Sequence, residues 1–352
     1  MLPALGFFDQ RLVQTQSVLH DYGQRQNRPR LIGAISWRNA SVVPADRCEM
    51  PAWPAYGLLL LLLTACQSLP PGAQACSVER AAVLPVRLDH GILLVPGALN
   101  GQPVQLVVDT GAEGSLVSSE AVARFGLERD TTRRTTINSV GGQITMANAW
   151  VRSFIVGNLE TPQVSLAVGP LPALGEPASP LAGLVGADYL AAFDIEFDLP
   201  RQRMALYRLV DCGLGFSPWS DPAMVLPLRR FRRGLLLLDV QIDRQPVVAL
   251  IDSGARLSSI RTEVAERLGV GPAALARDPL TAGSGVDLIA MAGRLHRFAA
   301  VRIGSEVLRD QEIEVAPLAL PGADMLLGAD YLRTRHVWLS YSTQRLFLAP
   351  AR

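Results

Sequence analysis

The chain has 352 residues, 49% of them apolar and 18% charged, with a formal net charge of +1 at pH 7. That is enough apolar material for a large core, and it leaves no basic field of the kind that draws nucleic acid. Its 33 Lys+Arg residues are all arginine, so lysine is excluded as a nucleophile or Schiff-base partner.

In chain order, residues 1–49 show no sustained helical or strand period and carry Arg25, Arg28, Arg30, Arg38 and Arg47. They read as an upstream extension, or as the result of a start assigned too early; Met50, or an initiator near Val43, would give a leader of ordinary length. Residues 55–65 form an apolar run ending at Cys66. A spanning helix needs about 20 residues, so the run is too short to cross a bilayer and suits a signal-peptide core, placing a leader at 50–66. The junction Leu63-Thr64-Ala65-Cys66 resembles the bacterial lipoprotein signal, whose cysteine is lipidated; a short buried helix ending at an ordinary cysteine is the alternative. Residues 67–82 then read as a Gln/Ser/Pro/Gly-containing tether. Gln67 is not the aspartate that retains lipoproteins in the inner membrane, so the resemblance implies anchoring at the periplasmic face of the outer membrane.

The first lobe is predicted over 83–210. Residues 86–95 read as hairpin material, and 104–108 as a strand buried on both faces. That strand runs into Asp109-Thr110-Gly111-Ala112. A short helix is expected at 118–125, closed by Gly126. Asn138-Ser139-Val140-Gly141-Gly142 marks the tip of a long hairpin. Leu184-Val185-Gly186 reads as an apolar strand, Gly186-Ala187-Asp188 as the start of a second helix, and 193–197 with 203–207 as a closing hairpin. Residues 211–222 read as a linker.

The second lobe, 223–352, repeats this plan. Val247 to Ile251 leads into Asp252-Ser253-Gly254-Ala255, which stands 143 residues after the first such string. The same offset holds without a gap from Gly91/Gly234 to Gly126/Gly269, taking in a helix at 261–268. Gly283-Ser284-Gly285-Val286 matches the first hairpin tip. Leu326-Leu327-Gly328-Ala329-Asp330 matches 184–188 at an offset of 142, and 337–341 with 345–348 match the closing hairpin. The chain is an internal duplication of lobes, each of about 130 residues, a size that suits an independent core.

Two carboxyls held close cannot both ionise, so a duplicated aspartate suggests a shared proton and an acid and a base in one site. The Asp-hydroxyl-Gly-Ala turn, followed by an apolar-apolar-Gly strand in both lobes, resembles the bacterial retropepsin-like aspartic proteases, in a tandem single-chain form. The resemblance implies a mostly β fold of two β-barrel lobes related by a pseudo-twofold, with few short helices. It implies an aspartic endopeptidase acting on polypeptide, with Asp109 and Asp252 catalytic and one water between them. Thr110 and Ser253 would hydrogen-bond across the axis, and Gly111 and Gly254 would leave room for backbone amides. Ala112 and Ala255 lack the hydroxyl that pepsin-like enzymes carry there, which raises the expected pH optimum to the weakly acidic or neutral range. Val140, Gly141 and Gly142, with Ser284, Gly285 and Val286, would be flaps over the substrate. No cofactor and no metal are implied, and intramolecular lobe pairing predicts a monomer; pairing between chains is the alternative. A duplicated, lipid-anchored module that holds peptides or a partner without cleaving them is the competing reading.

Of four cysteines, Cys48 would leave with the leader and Cys66 would carry lipid. Cys76 and Cys212 could pair in an oxidising periplasm and staple the first lobe's ends, or stay as two thiols. Asp188 and Asp330 read as structural, placed to serve a helix dipole. Glu113 and Arg256, at matching positions, could pair across the pseudo-twofold.

Overall fold

The computed structural model describes residues 76–171, 180–221, 223–284 and 290–350. Each lobe is built on one eight-stranded sheet, and the strand order is the same in both. In the first it runs Arg87–Asp89, Ile92–Leu99, Gln102–Val108, Leu181–Val185, Leu116–Ser118, Leu159–Gly169, Gly142–Val156, Glu128–Ser139. In the second it runs Arg229–Phe231, Leu235–Ile242, Gln245–Ile251, Met325–Leu327, Ser259–Arg261, Glu306–Ala316, Ala290–Ile303, Leu280–Ser284. The duplication read from the sequence is therefore a duplication of topology, and the described chain is mostly β.

Gln102–Val108 and Gln245–Ile251 end in unbroken apolar runs because their two faces bury against different clusters. Leu106 and Val108 point into the main core, whereas Val107 joins Ile92, Leu94 and Leu184 on the other side. Ile251 and Leu250 divide in the same way. Alternate side chains of a strand leave by opposite faces, so a strand between two cores must be apolar at every position. Each is paired in parallel with the later apolar strand, Val108 opposite Val185 and Ile251 opposite Leu327.

The short helices form where expected, at Ser119–Phe125 and Thr262–Arg267. Ser118 accepts from the Ala121 amide at the first N-terminus, and Gly126 at φ 58 ends that helix in the left-handed region. A further helix, Pro272–Leu275, was not foreseen; Pro272 sits in its first turn, where a missing N–H costs no helical bond.

The closing hairpins do more than finish their own lobes. Asp194–Asp198 pairs antiparallel with Arg335–Ser340, placing Ile195 opposite Leu339 and Phe197 opposite Val337, and all four are fully buried. Ser77–Pro85, Arg203–Val210, Arg345–Pro350 and Met224–Pro227 extend this into a six-stranded sheet shared by the two lobes. The linker lies against it, with Phe216 packed on Trp338 and Phe347 and Trp219 stacked on His336 at 4.3 Å. Cys76 and Cys212 are disulfide-bonded, joining the start of Ser77–Pro85 to the residues just after Arg203–Val210. Cys48 and Cys66 lie outside the described residues.

Candidate active site

Both aspartates leave their strands at the same point relative to the crossing strand. The Asp109 amide donates to Val185 O and the Asp252 amide to Leu327 O, each at 3.0 Å. The chain then turns so that two amides face back onto one carboxylate oxygen. Gly111 N and Ala112 N donate to Asp109 Oδ1 at 2.9 Å each, and Gly254 N and Ala255 N to Asp252 Oδ1 at 2.9 and 3.0 Å. The helix after the crossing strand is tied to the same turn, since Ala187 N donates to Ala112 O and Ala329 N to Ala255 O at 2.8 Å.

The two turns meet. A Cβ on Gly111 would collide with the Asp252 carboxylate, and one on Gly254 with the Asp109 carboxylate. Each glycine thus lets the opposite lobe's aspartate approach its backbone. Thr110 Oγ1 donates to Ile251 O at 2.8 Å and accepts from Ser253 N at 3.0 Å; Ser253 Oγ donates to Val108 O at 2.8 Å and accepts from Thr110 N at 3.1 Å. Thr110 and Ser253 are almost wholly buried, so none of these four bonds competes with bulk water.

Burial raises the Asp109 carboxyl well above the ordinary carboxylate range, and the neighbouring Asp252 raises it further by charge and by hydrogen bonding. Burial also raises Asp252, while its amide donors and the hydrogen bond from Asp109 oppose that rise. The pair is therefore poised to keep one shared proton at pH values where a solvated carboxyl is already ionised.

Asp188 and Asp330 have a more specific task than answering a helix dipole. Asp188 Oδ1 accepts from Ser115 N at 2.8 Å and Ser115 Oγ at 2.6 Å, and Asp330 accepts from Ser258 N at 2.9 Å and Ser258 Oγ at 2.7 Å. They hold the far end of each aspartate turn.

The first hairpin tip reaches the other lobe. Val140 O accepts from Ala319 N at 2.7 Å, and the Val140 side chain packs on the second lobe's apolar cluster of Leu235, Leu237, Leu250, Leu320 and Leu326. Below it lies an open cleft bounded by that cluster, Phe231, Gly111, Glu113, Arg232 and Asp252. Val140 and Gly141 form the turn between the two hairpin strands, and Gly142 opens the second, paired with Ser139. On the second lobe, Ser284 ends a strand with its backbone opposite Ala290, and Gly285 and Val286 lie outside the described residues.

Glu113 does not meet Arg256. It is buried, accepts from Asn138 Nδ2 at 2.8 Å, and lies 3.9 Å from Arg232 Nη1 and 3.9 Å from Arg233 Nε. Arg256 instead lies over Gly91, whose Cβ, if present, would stand 2.6 Å from Arg256 Cγ. Thr110 and Ser253 meet across the axis, but further along each aspartate turn the neighbour is the first hairpin of the opposite lobe, so Glu113 and Arg256 do not touch. Sequence reasoning did not anticipate Arg232, Arg233, Phe231 or Ala319 as neighbours of the site; the matching of Arg232-Arg233 to Asp89-His90 at the 143-residue offset was the available signal. Among the described residues, no group of three His, Cys, Asp or Glu side chains is arranged to hold a metal ion.

No curated protein matches the chain. Residues 95–189 match the family model described as aspartyl protease, and residues 238–334 match the one described as gag-polyprotein putative aspartyl protease. Each matched segment lies within one lobe and takes in its aspartate turn and its apolar-apolar-Gly strand, so two retropepsin-like aspartyl protease domains stand in tandem, which supports the aspartyl protease family and a peptidase.

Proposed function

We propose that the chain is an aspartic endopeptidase whose active site is completed within one molecule, by Asp109 of the first lobe and Asp252 of the second. The close approach of the two carboxyls, each against the opposite lobe's glycine with Asp252 buried and Asp109 partly so, carries this proposal, and both are raised above the ordinary carboxylate range. A water between them would lose a proton to the ionised Asp252 while Asp109 donates its own to the scissile carbonyl oxygen, giving a tetrahedral diol without a covalent intermediate. Thr110 and Ser253 keep the carboxylates in register, and Val140, Gly141 and Gly142 act as a flap that excludes water from the bound segment. Ser284, Gly285 and Val286 are the counterpart proposed for the second lobe. Pairing of both lobes in one shared sheet favours a monomer, whose specific activity is independent of its concentration.

The test is cleavage of a diverse peptide library by the protein, with a statine-type inhibitor and the Asp109→Asn and Asp252→Asn variants as controls. Inhibitor-sensitive cleavage lost in both variants is the expected result. Peptide binding that persists with no cleavage by the unaltered protein would instead favour a non-catalytic binding module.

We also propose export and lipid anchoring at Cys66, facing the periplasm. The Cys76 and Cys212 disulfide supports an oxidising compartment. Incorporation of labelled palmitate that disappears in Cys66→Ser is the expected outcome; labelling that survives the change would refute the anchor.

A further inference from the structure

The pseudo-twofold relates two contacts whose charges are reversed. At the 143-residue offset, Glu113 matches Arg256, while Arg232 and Arg233 match Asp89 and His90. On one side a buried carboxylate is compensated by Asn138 and two arginines. On the other, Arg256 is exposed, and the nearby Asp89 carboxylate is already taken by Arg87 and His90, each at 2.6 Å. No ion pair or hydrogen bond joins the Arg256 side chain to another described residue.

Arg256 also matches a cavity residue in the repeat. Glu113 bounds the cavity beside Asp252, and Arg256, its match at the 143-residue offset, stands two residues beyond Gly254, whose backbone lies against the Asp109 carboxylate. The apolar wall there is the matching cluster Ile92, Leu94, Val107 and Leu184. Resting on the peptidase proposal, we propose that Arg256 is a specificity-determining residue that recognises an aspartate or glutamate side chain of the polypeptide, on one side of the scissile bond only. A guanidinium with unused donors forms a forked, charge-assisted pair with a carboxylate. On the Glu113 side the arginine at the cavity wall, Arg232, faces the Glu113 carboxylate at 3.9 Å, whereas Arg256 has no ion-pair partner among the described residues, so a directional peptide is held in one preferred orientation across a nearly symmetric cleft.

The experiment takes a peptide that the full protein cleaves and varies each position within four residues of the scissile bond among Glu, Gln and Arg. One position, on one side, should favour Glu over Arg by about fivefold in kcat/KM, in keeping with a partly solvated ion pair, and the ratio should shrink as salt rises. Arg256→Glu should invert it. A ratio near one at every position, or a ratio that Arg256→Glu leaves intact, overturns the assignment while leaving the peptidase proposal standing. Independently of any cleavage, peptides of the diverse library in Glu, Gln and Arg forms are titrated onto Asp252→Asn, with and without Arg256→Glu, by fluorescence anisotropy. A Glu preference in binding that Arg256→Glu removes, with no cleavage by the unaltered protein, sustains Arg256 and sinks the peptidase proposal; neither binding nor cleavage sinks both.

Discussion

Thr110 and Ser253, from opposite lobes, exchange four hydrogen bonds in which each side chain donates to a carbonyl beneath the other's turn and accepts from the other's amide. Thr110→Val keeps the shape and removes both roles of the hydroxyl, leaving Ile251 O and Ser253 N buried and unpaired. Each such group costs about 1–3 kcal/mol, so a loss of about 2–6 kcal/mol in unfolding free energy is expected, readable by denaturant titration. Cleavage should fall with it, because the carboxylates lose their mutual register. A Thr110→Val protein with unaltered stability would show that the cross-lobe bonds do not hold the site.

The sequence displayed these two residues because the repeat carries like residue types at a fixed offset, and a buried strand between two cores has to be apolar throughout, as Val107-Val108 and Leu250-Ile251 are. It did not display which corresponding residues touch. Offset arithmetic pairs Glu113 with Arg256, but the lobes face each other so that Glu113 meets Arg232 and Arg233. The shared sheet was hidden for a similar reason: Phe193 to Phe197 looks like half of a local hairpin, and nothing in its pattern names Val337 and Leu339 as neighbours on its other edge.

Asp109→Asn should remove cleavage and stabilise the fold near neutral pH. The folded-state pKa of Asp109 lies above its unfolded value, so the native state binds the extra proton, and stability falls as pH rises from the ordinary carboxylate range through the raised value. An amide takes no part in that titration. The difference in melting temperature between Asp109→Asn and the unaltered protein should therefore grow from acidic to neutral pH, and a constant difference across that window would contradict the buried, proton-sharing pair.

The pH profile of cleavage has its own expectation. Activity requires one proton on the pair, and the raised Asp109 value extends the basic limb beyond the range of solvated carboxyls, giving an optimum in weakly acidic to neutral conditions. Ala255→Ser introduces a hydroxyl beside Asp252, and a donor to the charged form lowers a carboxyl pKa. The acidic limb should move to lower pH in this variant with the basic limb less affected. A strongly acidic optimum in the unaltered protein would count against the role given to Ala112 and Ala255.

Away from the site, Glu196 controls acid stability through the shared sheet. Burial alone would raise its carboxyl, but hydrogen bonds from His336 at 2.8 Å, Tyr207 at 2.8 Å and Trp219 at 3.3 Å outweigh burial and bring it down to about 2. A folded pKa below the unfolded value of 4.5 means that its stabilisation is present above that value and is lost as pH falls towards 2. His336 comes from the second lobe and Trp219 from the linker, so protonating Glu196 loosens three segments together. Glu196→Gln should cost about 1.5–3 kcal/mol at neutral pH, the range for hydrogen bonds to a charged group, and should flatten the decline in melting temperature between pH 4.5 and 2. If the variant instead declines as steeply as the unaltered protein over that interval, other carboxyls govern acid unfolding, and the Glu196 cluster serves only to pack the linker.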